Sequence, residues 1–169
     1  MAVTANVSAS VSGTQTSALD LGIVSFPFST SASAAYTSGT GAGQVDVVFT
    51  DTRTLSASAT EDLDLAGSLT GALGTTLTFA RIKAIFVSAA AANTNNVQVT
   101  RPASNGVPWL LAAGDGIALR PGAFMVWGSG STDASGVAVT AGTGDLITFT
   151  NSAGTTSVTY TVVILGCSA

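Results

Sequence analysis

Residues 2–12 alternate without a break. Val3, Ala5, Val7, Ala9 and Val11 fall on one side, and Thr4, Asn6, Ser8, Ser10 and Ser12 on the other. A period of two belongs to a β-strand with one apolar face; a helix repeats every 3.6 residues and cannot sort these side chains. The same period returns along the chain. Residues 44–50 put Val45, Val47 and Phe49 on one face. Residues 62–66 turn Leu63 and Leu65 inward and Asp62 and Asp64 outward. No stretch sustains a helical period, so the class is all-β.

The remaining segments read in the same way. Residues 18–28 alternate through Leu19, Leu21 and Ile23 to Phe26 and Phe28, and Pro27 places an end, a bulge or an edge there. Residues 29–43 are rich in Ser, Ala and Gly and read as a loop or flexible connection. Strands follow at 53–59, 75–90, 97–100, 109–113 and 117–128, the last broken by a Pro121-Gly122 turn. Others lie at 136–142, 144–151 and 156–166, the last two as a hairpin; 68–74 is a loop or a single helical turn, and 93–96 is a turn. The alternation within 75–90 shifts midway, which predicts a bulge or burial on both faces. Roughly nine or ten short strands at regular spacing predict a β-sandwich or jelly roll. Its core is placed at 44–169, and 1–43 form an extended N-terminal strand, or arm, and linker.

Composition narrows the chemistry. Only 8% of the 169 residues are charged, against about 25% in an ordinary soluble domain. There is no histidine, Lys83 is the sole lysine and Cys167 the sole cysteine. The net charge is −4 and no basic run occurs, which argues against nucleic-acid binding. The most apolar stretch, 84–92, is interrupted by Ser88 and is far short of a spanning helix, and the N-terminus has no basic leader. A surface this poor in charge fits burial in an assembly. The first charged side chain is Asp20, so the strand at 2–12 has none of the charges that protect an edge; it is expected to pair with a neighbour.

Candidate sites are few. Glu61, Asp62 and Asp64, with Asp51 upstream, form the densest carboxylate group. Their spacing is not that of a calcium loop, and they read as the solvated face of a strand. A serine nucleophile lacks a histidine base and a Gly-x-Ser-x-Gly elbow. The glycines at 39, 41 and 43 are followed by Gln44, not by the Lys-Ser/Thr of a phosphate loop. Asn6-Val7-Ser8 matches a glycosylation sequon by chance. No catalytic residue, metal or cofactor is assigned, and the chain is read as a non-enzyme. Trp109 and Trp127, with Phe124, belong either to the core or to an aromatic contact surface. Val3, Val7, Val11, Trp109, Trp127, Arg81 and Lys83 are the candidate interface residues, and isolated cations such as Arg53 and Arg101 are candidates to pair with acids on a neighbouring subunit.

The run DTRTLSASATEDLDLAGSLTGALGTTLTFARIKAIFVSAAAANTNN, then RPG at 120–122, VTAGTGDLITFTNSAG and TSVTYTVVILG, resembles small all-β structural proteins of tailed bacteriophages. The likeness spans 44–169, and 1–43 resemble the strand and linker that precede such cores. The resemblance implies a virion protein on the capsid surface. It would be a decoration or cement protein that binds the major capsid protein as a homotrimer or dimer and extends an arm to a neighbour's sheet. The alternative it implies is a tail-fibre or tail-tip domain that recognises host surface glycans.

Overall fold

The computed structural model of the chain describes residues 2–67 and 69–169, and these residues form strands, turns and loops with no helix. In chain order the strands are β1 (Ala5–Leu19), β2 (Gly22–Ser38), β3 (Gln44–Val45), β4 (Val47–Leu55), β5 (Thr60–Asp64), β6 (Leu69–Thr70), β7 (Thr76–Leu77), β8 (Arg81–Ala89), β9 (Val97–Thr100), β10 (Gly116–Leu119), β11 (Phe124–Gly128), β12 (Val137–Ala138), β13 (Leu146–Asn151) and β14 (Val158–Cys167).

Two antiparallel sheets share one core. The first runs β10-β9-β13-β5, and the second runs β11-β8-β14-β4 with β12 added on β8. Leu63, Val97, Val99, Ile147 and Phe149 from the first sheet meet Phe49, Ile82, Ile85, Val87, Tyr160, Val162 and Ile164 from the second. The alternation seen in the sequence explains this directly, because every second side chain of these strands is apolar and points into the shared layer. Phe149 and Tyr160 stack across it, with ring centroids 4.4 Å apart. A third sheet, β1-β2-β3, lies on the outer face of the second, so β8 and β14 are buried on both sides.

That double burial accounts for the shifted alternation at 75–90. Ile82 faces the core, and so do Ile85 and Val87, whereas Ala84 packs on the outer face. The change of phase is a bulge: β14 pairs Leu165 with Ala84 and Gly166 with Ile82, leaving Lys83 as the extra residue. A side chain at Gly166 would overlap the Arg81 carbonyl oxygen and the Phe79 ring, so only glycine fits opposite the bulge.

The open edge of the two-sheet core is closed by charge. Asp51 and Arg53 point inward from β4, an edge strand of the second sheet. Arg53 bonds Asp51 at 2.8 Å and reaches Glu61 on β5, the facing edge of the first sheet, at 2.7 Å. The Tyr160 hydroxyl donates to the other Glu61 oxygen at 2.7 Å. Glu61 and Asp51 are therefore partners of Arg53 and do not form a solvated face, and Arg53 pairs inside its own chain. Burial, followed by the hydrogen bond to Glu61, drives the Tyr160 hydroxyl pKa well above the usual tyrosine range.

Several sequence expectations are corrected. Residues 44–50 and 53–59 are not two strands, because β4 pairs with β14 in unbroken register from Val47 to Leu55. The expected strand at 75–90 is interrupted between β7 and β8. Residues 29–38 are strand, not loop: the small Ser and Ala side chains that lower the complexity sit opposite matching residues of β1. Residues 109–113 are irregular, since Pro108 precedes them and Arg101 holds the Leu110 and Leu111 carbonyls. β13 and β14 do not form a hairpin; they belong to different sheets. The crossing between them is stitched by buried Asn95 and Asn151, whose amides bond each other at 3.0 Å and both bond the Thr156 carbonyl. The segment 68–74 holds β6 and the turn that leads to its partner β7 at Thr76–Leu77, and Ser68 lies outside the described residues.

Gly166→Ala is expected to lower unfolding free energy by about 3 kcal/mol, the scale of an overpacked core site, in urea denaturation. A midpoint unchanged from the parent would show that β14 can move off the bulge. A second expectation concerns pH. Tyr160 keeps its proton in the folded chain beyond tyrosine's ordinary 10.0, while the unfolded chain loses it. Stability should therefore be retained below pH 10 and fall as pH climbs above it. The burial-raised Tyr36 and Cys167 act with the same sign. Tyr160→Phe should flatten the alkaline limb of a thermal-melting profile; an unchanged slope would assign the loss to other groups.

Candidate functional site

The outstanding feature outside the core is the hairpin of β1 and β2. Its register is continuous from Ala5–Tyr36 to Leu19–Gly22, around a two-residue turn at Asp20-Leu21. Residues directly opposite in an antiparallel pair share a face. One face thus carries Ala5 with Tyr36, Val7 with Ala34, Ala9 with Ala32, Val11 with Thr30, Gly13 with Phe28, Gln15 with Phe26 and Ser17 with Val24. The other carries the serine pairs 8–33, 10–31 and 12–29, followed by Thr14 with Pro27. Pro27 sits in uninterrupted register on a strand that has no neighbour on its far side there, so its missing N–H breaks no ladder.

The apolar face has two fates. At the root, Ala34 and Tyr36 are buried with Val45, Ala84 and Leu165, and Val3, Ala5 and Val7 pack beside them against Val48 and Val163. Beyond Val7 and Ala34 the hairpin leaves the sheet. Ala9–Leu19 projects roughly 35 Å at the rise of an extended strand. Along this part Val11, Val24, Phe26 and Phe28 remain exposed, Phe26 by 65%. The Phe28 ring lies across the strand over Gly13, where an added Cβ would stand 2.6 Å from it. Where the hairpin departs, Phe124 of β11 is 66% exposed and stacks on Phe86 at 6.5 Å. A cavity of about 480 Å3 opens beneath the root, between Ala5 and Val7 above and Phe86, Phe124, Val163 and Leu165 below.

A polar clasp holds the root in place. Lys83, the bulge residue, has no exposed surface, and its Nζ donates to the Asp133 carbonyl in the loop between β11 and β12. Arg81 donates to the Ala134 carbonyl at 3.0 Å in the same loop. The Asp133 carboxylate accepts the Ser135 and Gly136 amides, which hold its pKa below the usual carboxylate range. Tyr36 of β2 donates to the Lys83 carbonyl through a long contact of 3.5 Å. The loop, the bulge and the hairpin root are thereby joined in one place.

The candidate interface residues separate on this structure. Val7 and Val11 lie on the apolar hairpin face and Val3 precedes β1; Val3 and Val7 are partly buried at the root and Val11 is exposed. Lys83 is buried and donates to the Asp133 carbonyl, and the partly exposed Arg81 donates to the Ala134 carbonyl, so both are engaged within their own chain. Trp109 is 6% exposed and belongs to the core, and Trp127 packs against it from β11; they present no shared platform. Cys167 is buried. The exposed residues of β2, Val24, Phe26 and Phe28, were missed as interface candidates. Their signal was present in the sequence, because aromatic and β-branched residues continue the phase set by Val7 and Val11 once the strands are folded back at Asp20. Compared with family models, with curated proteins and with solved structures, the chain matches none of them.

Ala34→Asp is expected to place an unpaired carboxylate in the root and release the hairpin while the two-sheet core persists. Hydrogen exchange should then show loss of protection in β1 and β2, with protection in β8, β13 and β14 retained. Simultaneous loss in all five strands would show that hairpin and core unfold as one unit.

Proposed function

We propose that the chain is a virion structural protein: a decoration or cement protein that binds across major capsid protein subunits on a phage head. In this reading the two-sheet core is a sandwich of the jelly-roll kind, and the hairpin is the N-terminal arm. The observation that carries the reading is the open edge of β1. Among the described residues β1 pairs only with β2, so the backbone groups along its other side face no strand from Ala5 to Leu19. Soluble proteins guard such edges with lysines, prolines, bulges or short length. This one is long and regular and carries no charge, which suits a strand that is covered in place.

The mechanism is adhesive. A strand of the capsid lattice adds to β1, and main-chain hydrogen bonds supply the affinity. The protein binds the assembled lattice and not its unfolded subunits, so it stabilises the shell by mass action, and many modest contacts repeated over the head sum to a large effect. The sequence resemblance to tailed-phage structural proteins supports the same assignment. Homo-oligomers, trimeric or dimeric, fit the repeating symmetry of a shell.

Two measurements test this. Quantitative mass spectrometry of purified virions is expected to find a copy number near that of the major capsid protein or a simple fraction of it. A few copies per particle would move the protein to the tail tip or fibre, and absence from virions would remove both readings. Ser10→Lys with Ser12→Lys, on the polar face of β1, should weaken head binding about tenfold or more. Unaltered binding would exclude β1 as the docking edge.

A further inference from the structure

The geometry points to the projecting apolar face of the hairpin as the surface through which copies of this chain associate, the occupant being the same face of a second copy. This inference does not depend on a phage head; it concerns the face of the hairpin, whereas the lattice contact proposed above uses its edge.

Composition identifies the occupant. The strip formed by Val11, Phe28, Phe26, Val24 and Leu19 continues the line of Val7 and Ala34, which already packs on a sheet at the root. The face is therefore built to lie on a flat apolar surface, and its outer half lacks one. The chain carries a net charge of −4, so two copies repel in general. They meet at least electrostatic cost where neither bears charge. β1 and β2 carry no charged residue, and the one charge of the hairpin is Asp20 in the turn at its tip.

A lipid surface fits less well. Gln15 and Ser17 interrupt the strip opposite Phe26 and Val24, and in hydrocarbon their polar groups would have no partner. Against a second copy, a glutamine amide both donates and accepts and can pair with its equivalent. The hairpin also offers no Lys or Arg to an anionic headgroup, the first cation in the chain being Arg53.

At roughly 35 Å by 10 Å, two such faces pressed together cover roughly 700 Å2, which approaches the ~1,000 Å2 of a specific interface. Sheets pack face to face at about 10 Å, a spacing that lets Phe26 and Phe28 of one copy interdigitate with those of the other. The exposed Phe124 and the notch it forms with Ala9, Val11, Thr30 and Ala32 extend the apolar area toward the core.

The test is the solution mass of the full chain at tens of micromolar, by light scattering coupled to size exclusion. The wild-type chain is expected at a whole multiple of 16.6 kDa, two or more. Val24→Glu with Phe26→Glu should reduce it to the mass of one chain, and Phe26→Ser should do so in part. Thr16→Glu, on the polar face of the same hairpin, should leave the oligomer intact. The near-ultraviolet circular dichroism of Trp109 and Trp127, both in the two-sheet core, reports whether each variant is folded. A wild-type chain that runs as one copy overturns the proposal. So does an oligomer that survives the double substitution in folded protein, or one lost equally with Thr16→Glu. A single-copy wild type that floats with phosphatidylcholine vesicles would assign the strip to lipid instead.

Discussion

The structure depends on burial of β14 on both of its faces. Val158, Tyr160, Val162 and Ile164 point into the layer between the two large sheets, and Leu165 points the other way, beneath the hairpin. A strand with one apolar face can build a two-layer protein; one with two can hold a third layer. β14 lies between β8 and β4, so it joins the core to the hairpin root through its own backbone. The bulge at Lys83 and the glycine at 166 follow from this position. They let β8 change phase, keeping Ile82 and Ile85 in the core while Ala84 stays on the outer face.

The charged residues are used sparingly and mostly for closure. Arg53, Asp51 and Glu61 seal the edge where the sheets part, and Lys83 and Arg81 fasten a loop beside the hairpin root. Partly buried ion pairs add little net stability compared with apolar packing, yet they fix one arrangement because alternatives leave a charge unpaired. Outer faces are instead covered by uncharged pairs such as Thr52 with Thr161 and Thr54 with Thr159, each at 3.0 Å. Such a surface is hydrated without adding net charge.

The hairpin places two distinct features at one location. Its edge offers unpaired backbone groups, and its face offers apolar side chains. The root is held by small residues, Ala34 and Ala84 among them, above an open cavity, so the hairpin is seated and not fused into the core. Left uncovered, an open edge and an exposed apolar face are both aggregation liabilities.

The strand class, most inward-facing residues and the amphipathic character of residues 2–12 were legible because period-two alternation is a local property of the chain. The bulge at 75–90 was legible for the same reason. Pairing was not. β13 and β14 both alternate apolar residues with Thr, yet they join different sheets, and the crossing between them is held by the buried amides of Asn95 and Asn151. Nor could spacing show that Lys83 turns inward, or that Glu61 finds Arg53 across the gap between sheets. The hairpin face lay half hidden, because its phase is continuous in the sequence only after the chain reverses at Asp20. The amino-acid sequence by itself determined which residues alternate and how little charge the surface can carry. The tertiary structure decided which strands meet and which stretch of apolar face is left uncovered, since those depend on contacts between residues far apart in the chain.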